Sequence, residues 1–317
     1  MSGQIRSVLL VTNPLSGHGR GVAAAATARA RFAERGVRVV DACGETVAET
    51  IRLVRDSLAD HTDGPDAVVC AGGDGLVCIV LQALAGTGVP LGMIPGGTGN
   101  DLARELGVPE GDPLAAAEVV LAGNTRTIDL GVVRTAGPHF GGAGLPESVH
   151  FATVVGTGLD ARVTLRANRM RYPKGPLRYT LAALAELASG LAVPYRLDLR
   201  GVPGESGPVT VETEAIMVAV GNTRSYGGGM QICPDAVIDD GLLEVTVVGA
   251  MSRLEMLRLL PVLSSGKRVD HPALRQFRAT GIDLAAPGAP ATADGEPAGL
   301  LPANFRVLPG AQPVLVP

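Results

Sequence analysis

Three times in the first 120 residues a short apolar run ends in a cluster of glycines and gives way to a helical segment, and no other feature limits the fold as much. SVLLVTNP (residues 7–14) runs into Ser16-Gly17-His18-Gly19-Arg20-Gly21. DAVVCAGGDG (66–75) ends in Ala71-Gly72-Gly73-Asp74-Gly75, and PLGMIPGGTGND (90–101) carries Pro95-Gly96-Gly97-Thr98-Gly99-Asn100-Asp101. Short unbroken apolar runs closed by turn formers predict fully buried strands. The segments between them, Gly21 to Arg35, Glu45 to Leu58 and Leu76 to Leu84, predict helices, with VRVVDA (37–42) as a further strand. Strand and helix in strict alternation predict a parallel sheet with crossover helices, so residues 1–128 are expected to form an α/β domain.

After Arg126 the pattern becomes a series of alternating pieces: TRTIDLGVV, HFATVVGTG, PYRLDLRG, VTVETEAIMVAVGN, GLLEVTVVG and FRATGIDLAA. Such runs separated by Gly and Pro turns predict an antiparallel sandwich or barrel over residues 129–305. Leu177 to Ala192 and Ser252 to Leu263 are expected as helical interruptions, and the turn-rich stretches 135–148 and 286–299 as exposed loops.

Composition removes several functional classes. A hydrophobic fraction of 46% against 18% charged residues excludes a disordered chain. The 317 residues carry a net charge of −4, contain no Trp and are only 3% aromatic, which argues against a nucleic-acid partner. Cys43, Cys70, Cys78 and Cys233 have neither CxxC spacing nor paired His ligands, so neither a structural zinc nor a disulfide framework is expected. No apolar run is long enough to span a bilayer, and a cytoplasmic setting is the expectation.

In open α/β sheets, ligands sit at the carboxyl ends of the strands, where all three glycine clusters fall. Glycine lets backbone N–H groups approach an anion, and the following helix N-terminus adds a favourable partial charge. Each cluster has an ordinary structural alternative: a flexible turn for the first, an N-cap for Asp74, a capped turn at Asn100 or Asp101. None is a P-loop, since neither Lys174 nor Lys267, the only lysines, follows such a glycine.

GGDG after the third strand, followed by GMIPGGTGNDLAREL, resembles the diacylglycerol kinase catalytic-domain family of lipid kinases, whose superfamily includes sphingosine, ceramide and NAD kinases. NPLSG, GTGLDARV (156–163), GNTRSYGGGMQICPDAVIDDGLLEV (221–245), DGE (294–296) and the closing VLPGAQPVLVP extend the resemblance over nearly the whole chain. It implies a nucleotide-binding α/β domain and a C-terminal β-sandwich that receives the lipid, with residues 306–317 returning to the first domain. It also implies ATP and Mg²⁺, with a lipid alcohol as substrate. Asn13, Gly17, Gly72, Gly73, Gly75, Leu76, Gly97, Thr98, Asn100 and Asp101 would line the nucleotide. Asp74 would aim a carboxylate at the phosphates or metal, and Glu296 would take the proton from the lipid hydroxyl. Val237, Asp240 and Leu242, in the acidic turn PDAVIDDGL, match the family's structural metal site, for which a plain Asp-Gly hairpin is the alternative.

The resemblance is imperfect at one place: Leu76, Cys78 and Ile79 stand where the family usually has a threonine and an Asn-Glu pair. Polar contacts to the nucleotide are expected to be fewer. An NAD kinase-like activity and a non-catalytic lipid- or nucleotide-binding regulator stay open beside the lipid kinase, as do monomer and dimer. Between Arg162 and Arg178 stand six basic residues and no acid, directly before an apolar helix. This pattern predicts either peripheral contact with an anionic membrane or a solvated basic loop above a core helix.

Overall fold

The computed structural model describes residues 4–13, 20–60, 63–136, 148–170, 172–173, 177–187 and 192–317. Two compact units result, one of residues Met1–Leu130 with Pro309–Pro317, the other of Gly131–Leu308.

The first unit alternates strand and helix: β1 (Ser7–Thr12), α1 (Arg20–Glu34), β2 (Arg38–Ala42), α2 (Val47–Ala59), β3 (Ala67–Gly72), α3 (Asp74–Leu84), β4 (Leu91–Pro95), α4 (Asp101–Glu105) and α5 (Pro113–Ala122). β1 pairs in parallel with β2 and β3, and β3 with β4, in registers such as Val8↔Ala67 and Val68↔Leu91. Every residue of β3 and β4 is buried. A parallel sheet covered on both faces needs apolar side chains in both directions, which is why these strands are unbroken apolar runs. α1 turns Gly21, Ala24, Ala25, Ala28 and Phe32 inward, one stripe at helical spacing. α2 starts at Val47, two residues later than the sequence suggests, because the Thr46 hydroxyl caps it by accepting the Glu49 N–H at 3.1 Å. α5 was not anticipated, although its signals are present: Asp112 caps it, Pro113 opens it, and Gly123 closes it with φ at +67°.

β5 (Thr125–Ala136) leads into the second unit, which contains β6 (Val149–Phe151), β7 (Val154–Thr157), α6 (Leu159–Arg169), α7 (Leu177–Leu187), β8 (Val193–Arg200), β9 (Val209–Gly221), β10 (Leu243–Gly249), α8 (Arg253–Ser264), β11 (Leu274–Ala279), β12 (Gly281–Ala285), β13 (Pro290–Ala293) and β14 (Glu296–Leu315). Its pairings close on themselves: β9 pairs with β7, β7 with β13, β13 with β14, β14 with β12, β12 with β8 and β8 with β9, all antiparallel. The long strands β9 and β14 make closure possible, since each pairs with different neighbours along its two halves. β10 and β11 extend the sheet from β9. Gly131 lies opposite Phe151, and a Cβ there would fall 2.0 Å from the ring, so the glycine is the space the aromatic fills.

Two sequence expectations need correction here. Residues 286–299 are not simply an exposed loop: Pro290–Ala293 pairs with the start of β14 in a hairpin, and Ala289, Ala291, Ala293 and Ala298 are each at most 4% exposed, although Pro287, Gly288 and Gly295 remain exposed. Its Ala, Pro and Gly content signals small side chains that allow close packing rather than solvent exposure. The basic stretch after Arg162 is likewise no loop at its start: Leu159–Arg169 is a helix that buries Leu159, Ala161, Thr164 and Ala167. The other expected loop, 135–148, begins within β5, and residues 137–147 lie outside those described.

Candidate active site

In the first unit the glycine clusters after β3 and β4 and at the start of α1 meet as backbone on backbone. A Cβ on Gly97 would come 2.4 Å from the Gly73 Cα, and one on Gly96 would come 2.8 Å from the Gly21 Cα. Gly96 N–H donates to the Gly72 carbonyl at 2.9 Å. The glycines are thus required first by the mutual contact of the three turns, which fuses them into one surface of main chain.

Asp74 holds that surface together. Its two carboxylate oxygens accept the N–H groups of Asp101 and Leu102, each at 3.1 Å, and so cap α4 from a different loop. A carboxylate at a helix N-terminus meets both the unpaired N–H groups and the positive end of the helix dipole. Asn100 adopts φ +55°, its side-chain oxygen accepting the Gly97 N–H at 3.0 Å. Asp101 is only 2% exposed and pairs with Arg104, which also reaches the Gly99 carbonyl and Glu110. Both carboxylates of these loops are therefore engaged by the protein, and neither offers Mg²⁺ a free oxygen pair.

Thr98 is exposed, and the Arg20 guanidinium lies 3.4 Å from its hydroxyl. Arg20, in the first glycine cluster, is not singled out by the sequence, although its guanidinium reaches the Thr98 hydroxyl of the loop. Asn13 follows β1 and is half-buried, while Gly17 lies outside the described residues. Gly75 sits in the first turn of α3, whose N-cap Gly73 supplies no side-chain acceptor. Main-chain donors at such an uncapped helix start suit an anion. Leu76 belongs elsewhere: its side chain is 5% exposed and packs over Gly72, and its N–H donates to the Gly73 carbonyl. Cys78 and Ile79 are buried beside it, so all three departures from the family pattern point into the core.

In the second unit Glu296 is placed by a two-residue turn. Asp294 and Gly295 have φ of +48° and +87°, the left-handed pair that joins antiparallel strands most tightly, and Ala293 pairs with Glu296 across it. The Asp294 carboxylate fixes the turn by accepting the Ala152 N–H at 2.9 Å, the Thr153 N–H at 2.9 Å and the Thr153 hydroxyl at 2.6 Å. Asn168 of α6 donates to the Gly295 carbonyl at 3.1 Å. Burial pushes the Glu296 carboxyl above its ordinary range, and the neighbouring Asp294 charge pushes it further. A carboxylate with a raised pKa is a stronger base than a solvated one.

Two more of the quoted motifs meet in this unit. A Cβ on Gly156 would land 1.8 Å from the Asp160 carboxylate, so that glycine makes room for it, and the Tyr226 hydroxyl donates to the same carboxylate. Burial lifts Asp160 to about 6. The turn Pro234–Leu242 lies in the same unit. There Asp240 accepts the Leu242 N–H at 3.1 Å and pairs through its other oxygen with Arg278, while Val237 is 44% exposed. A guanidinium therefore already neutralises the one side chain expected to ligate an ion, and this arrangement does not fit a divalent cation. Among the described residues there is no cluster of three or more His, Cys, Asp or Glu able to hold a metal.

The family model described as diacylglycerol kinase catalytic domain matches residues 7–133, and that described as YegS C-terminal NAD kinase beta sandwich-like domain matches residues 153–316. A Mycobacterium tuberculosis protein named diacylglycerol kinase is 43% identical over 99% of this chain and 96% of its own length. The Xanthomonas campestris protein named "Probable lipid kinase YegS-like" is 33% identical over 68% of this chain and 66% of its own. Among solved structures, a diacylglycerol kinase from Bacillus anthracis superposes with a TM-score of 0.68 at 19% identity, covering 99% of this chain and 98% of that one, which supports the fold.

Proposed function

The chain belongs to the diacylglycerol kinase family of lipid kinases, and from that premise we propose that it transfers the γ-phosphate of ATP to the hydroxyl of diacylglycerol or a similar lipid alcohol. The observation that carries the reading is Glu296, held on a rigid turn with its carboxyl raised by burial. The lipid hydroxyl oxygen attacks the γ-phosphorus, the bond from that phosphorus to the β–γ bridging oxygen breaks, and ADP leaves. Glu296 accepts the hydroxyl proton as the new O–P bond forms. Phosphoryl transfer asks chiefly for positioning and charge stabilisation. The main-chain surface of Gly72, Gly73, Gly75, Gly97 and Asn100, with Thr98 and Arg20, is assigned to the nucleotide phosphates, and Asn13 to the nucleotide nearby. Asp74 serves by bracing this surface through α4. Mg²⁺ enters only as the counterion of the nucleotide's own phosphates.

The loss of polar side chains at Leu76, Cys78 and Ile79 does not weaken this assignment, because those positions face the core and the proposed phosphate contacts are made by main chain. The test is Glu296→Gln, which keeps shape and removes the base. Turnover with ATP and a dispersed diacylglycerol should fall by roughly 10²–10⁴-fold, with the unfolding transition unchanged. A fully active variant would remove Glu296 from the chemistry, and a parent protein that phosphorylates no lipid alcohol would overturn the reading itself.

A further inference from the structure

The glycine turn at residues 96–101 is fastened from outside itself. Asn100 carries a β-carbon yet sits in the left-handed region, at φ +55° and ψ +37°, a conformation that bonds must hold in place. Inside the turn its side-chain oxygen accepts the Gly97 N–H at 3.0 Å and its amide nitrogen donates to the Gly97 carbonyl at 3.3 Å. The same nitrogen donates outward to the Glu110 carboxylate, also at 3.3 Å.

Glu110 stands beyond the end of α4, and one of its oxygens serves two donors. The Arg104 guanidinium reaches that oxygen at 2.9 Å and the Gly99 carbonyl at 2.8 Å, while its other terminal nitrogen donates to Asp101 at 3.0 Å. The carboxylate therefore ties down both the left-handed residue of the turn and the arginine that spans its last residues. Its own place is set by α5, because Asp112, just after it, caps that helix by accepting the Leu114 and Ala115 N–H groups at 3.1 and 3.0 Å. The Arg104 and Glu110 side chains are 39% and 33% exposed, and a pair so solvated adds little to global stability. What it governs is the shape of the turn.

Charge gives that shape a measurable sign. An acid beside a surface assigned to nucleotide phosphates repels them, so as a bare charge Glu110 would weaken ATP binding. As an acceptor it does the opposite, since a turn already ordered when the nucleotide arrives loses no affinity to ordering. We propose that Glu110 is a positioning residue for the nucleotide: by accepting from Asn100 and Arg104 together, it holds the turn in the conformation that presents the Gly97 main chain and the Thr98 hydroxyl to the phosphates. The inference rests on the assignment of that surface to ATP and adds to it a residue outside the GGTGND motif.

The experiment compares Glu110→Ala, which deletes the acceptor, with Glu110→Gln, which keeps an acceptor oxygen and removes the charge. Turnover with ATP and dispersed diacylglycerol, and hydrogen exchange of the amides of residues 97–102 without nucleotide, are measured on the full chain. Glu110→Ala should raise KM for ATP by about fivefold to tenfold, leaving kcat and KM for diacylglycerol within about twofold of the parent. Its turn amides should exchange faster. Glu110→Gln should restore both readouts to near the parent, and the melting temperatures of all three proteins should coincide. A lower KM for ATP in both variants would overturn the proposal in favour of simple repulsion. Unchanged exchange in Glu110→Ala would show that Glu110 does not hold the turn, and faster exchange with an unchanged KM would remove its role toward the nucleotide while the kinase reading stood. A parent that turns over no ATP, with faster exchange in Glu110→Ala alone, would overturn the kinase reading and the nucleotide role together and leave only the mechanical link.

Discussion

Replacing Asp294 asks how much of the Glu296 geometry rests on one buried carboxylate. Asp294→Asn preserves size and tolerates the left-handed backbone, so it isolates the hydrogen bonds. One amide oxygen can still accept the Thr153 N–H and hydroxyl, but the amide nitrogen then faces the Ala152 N–H, donor against donor, at a site only 7% exposed. An orphaned buried donor costs about 1–3 kcal/mol, and the two retained bonds lose their charge assistance. Relief from burying a charge offsets part of this, leaving a net loss of about 2 kcal/mol. Asp294→Ala orphans all three donors and places a β-carbon without local hydrogen bonding at φ +48°, which adds about 1–2 kcal/mol and brings the loss to about 4–6. Asp294→Gly should recover only the backbone part, so it should be more stable than the alanine variant by about 1 kcal/mol. Urea denaturation of the four proteins gives the order directly. An Asn variant within about 0.5 kcal/mol of the parent would refute the hydrogen-bond account, a difference too small to reflect an orphaned donor. Equal Ala and Gly variants would refute the backbone account.

Glu244, 1% exposed, is pushed up to about 7 by burial and then by the charge of Asp235. A carboxyl raised in the folded state contributes stability below its unfolded pKa that is lost as pH rises through about 7, so the parent should weaken by up to about 3 kcal/mol between pH 4.5 and 7.5 relative to Glu244→Gln. Parallel stability–pH curves for the two proteins would count against this. Because Arg278 occupies the Asp240 carboxylate and the pair is partly solvated, Asp240→Asn should cost no more than about 1 kcal/mol. Added Mg²⁺ should leave the parent's melting temperature unmoved; a Mg²⁺-dependent rise that disappears in Asp240→Asn would restore the ion to this turn.

What the sequence disclosed and what it concealed follow from how local each signal is. The strands β1, β3 and β4 were legible because burial on two faces leaves an unbroken apolar run, and the glycine clusters because few other residues allow such close main-chain contact. Alanine-rich β13 was hidden, since small residues that pack tightly and small residues that turn freely spell the same composition. α6 was hidden by its arginines, two of which are committed to an acid on α7 that lies 20 or more positions away in sequence. The same applies to the site. Glu296 could be named from its motif, but the Asp294 clamp depends on residues 152 and 153, and the α4 cap depends on an acid from another turn. Long-range hydrogen bonds leave no periodicity to read. Leu76 was misplaced for a related reason: its position in the motif is that of a loop residue, while its side chain obeys the helix that begins two residues earlier.

β14 sets a schedule on the assembly of the molecule. Its last residues form part of the first unit, where Val314 pairs in parallel with Leu91, Ala311 accepts the Gly86 N–H and the Gln312 amide donates to the Val89 carbonyl. On a ribosome, residues 1–130 emerge long before 309–317, with all of Gly131–Leu308 made in between. Until that end arrives, β4 presents an unpaired apolar edge, the kind of template on which other chains aggregate. The first unit therefore cannot be completed from its own leading segment, and a fragment cut after Leu130 would keep its glycine turns while lacking the strand that closes its sheet.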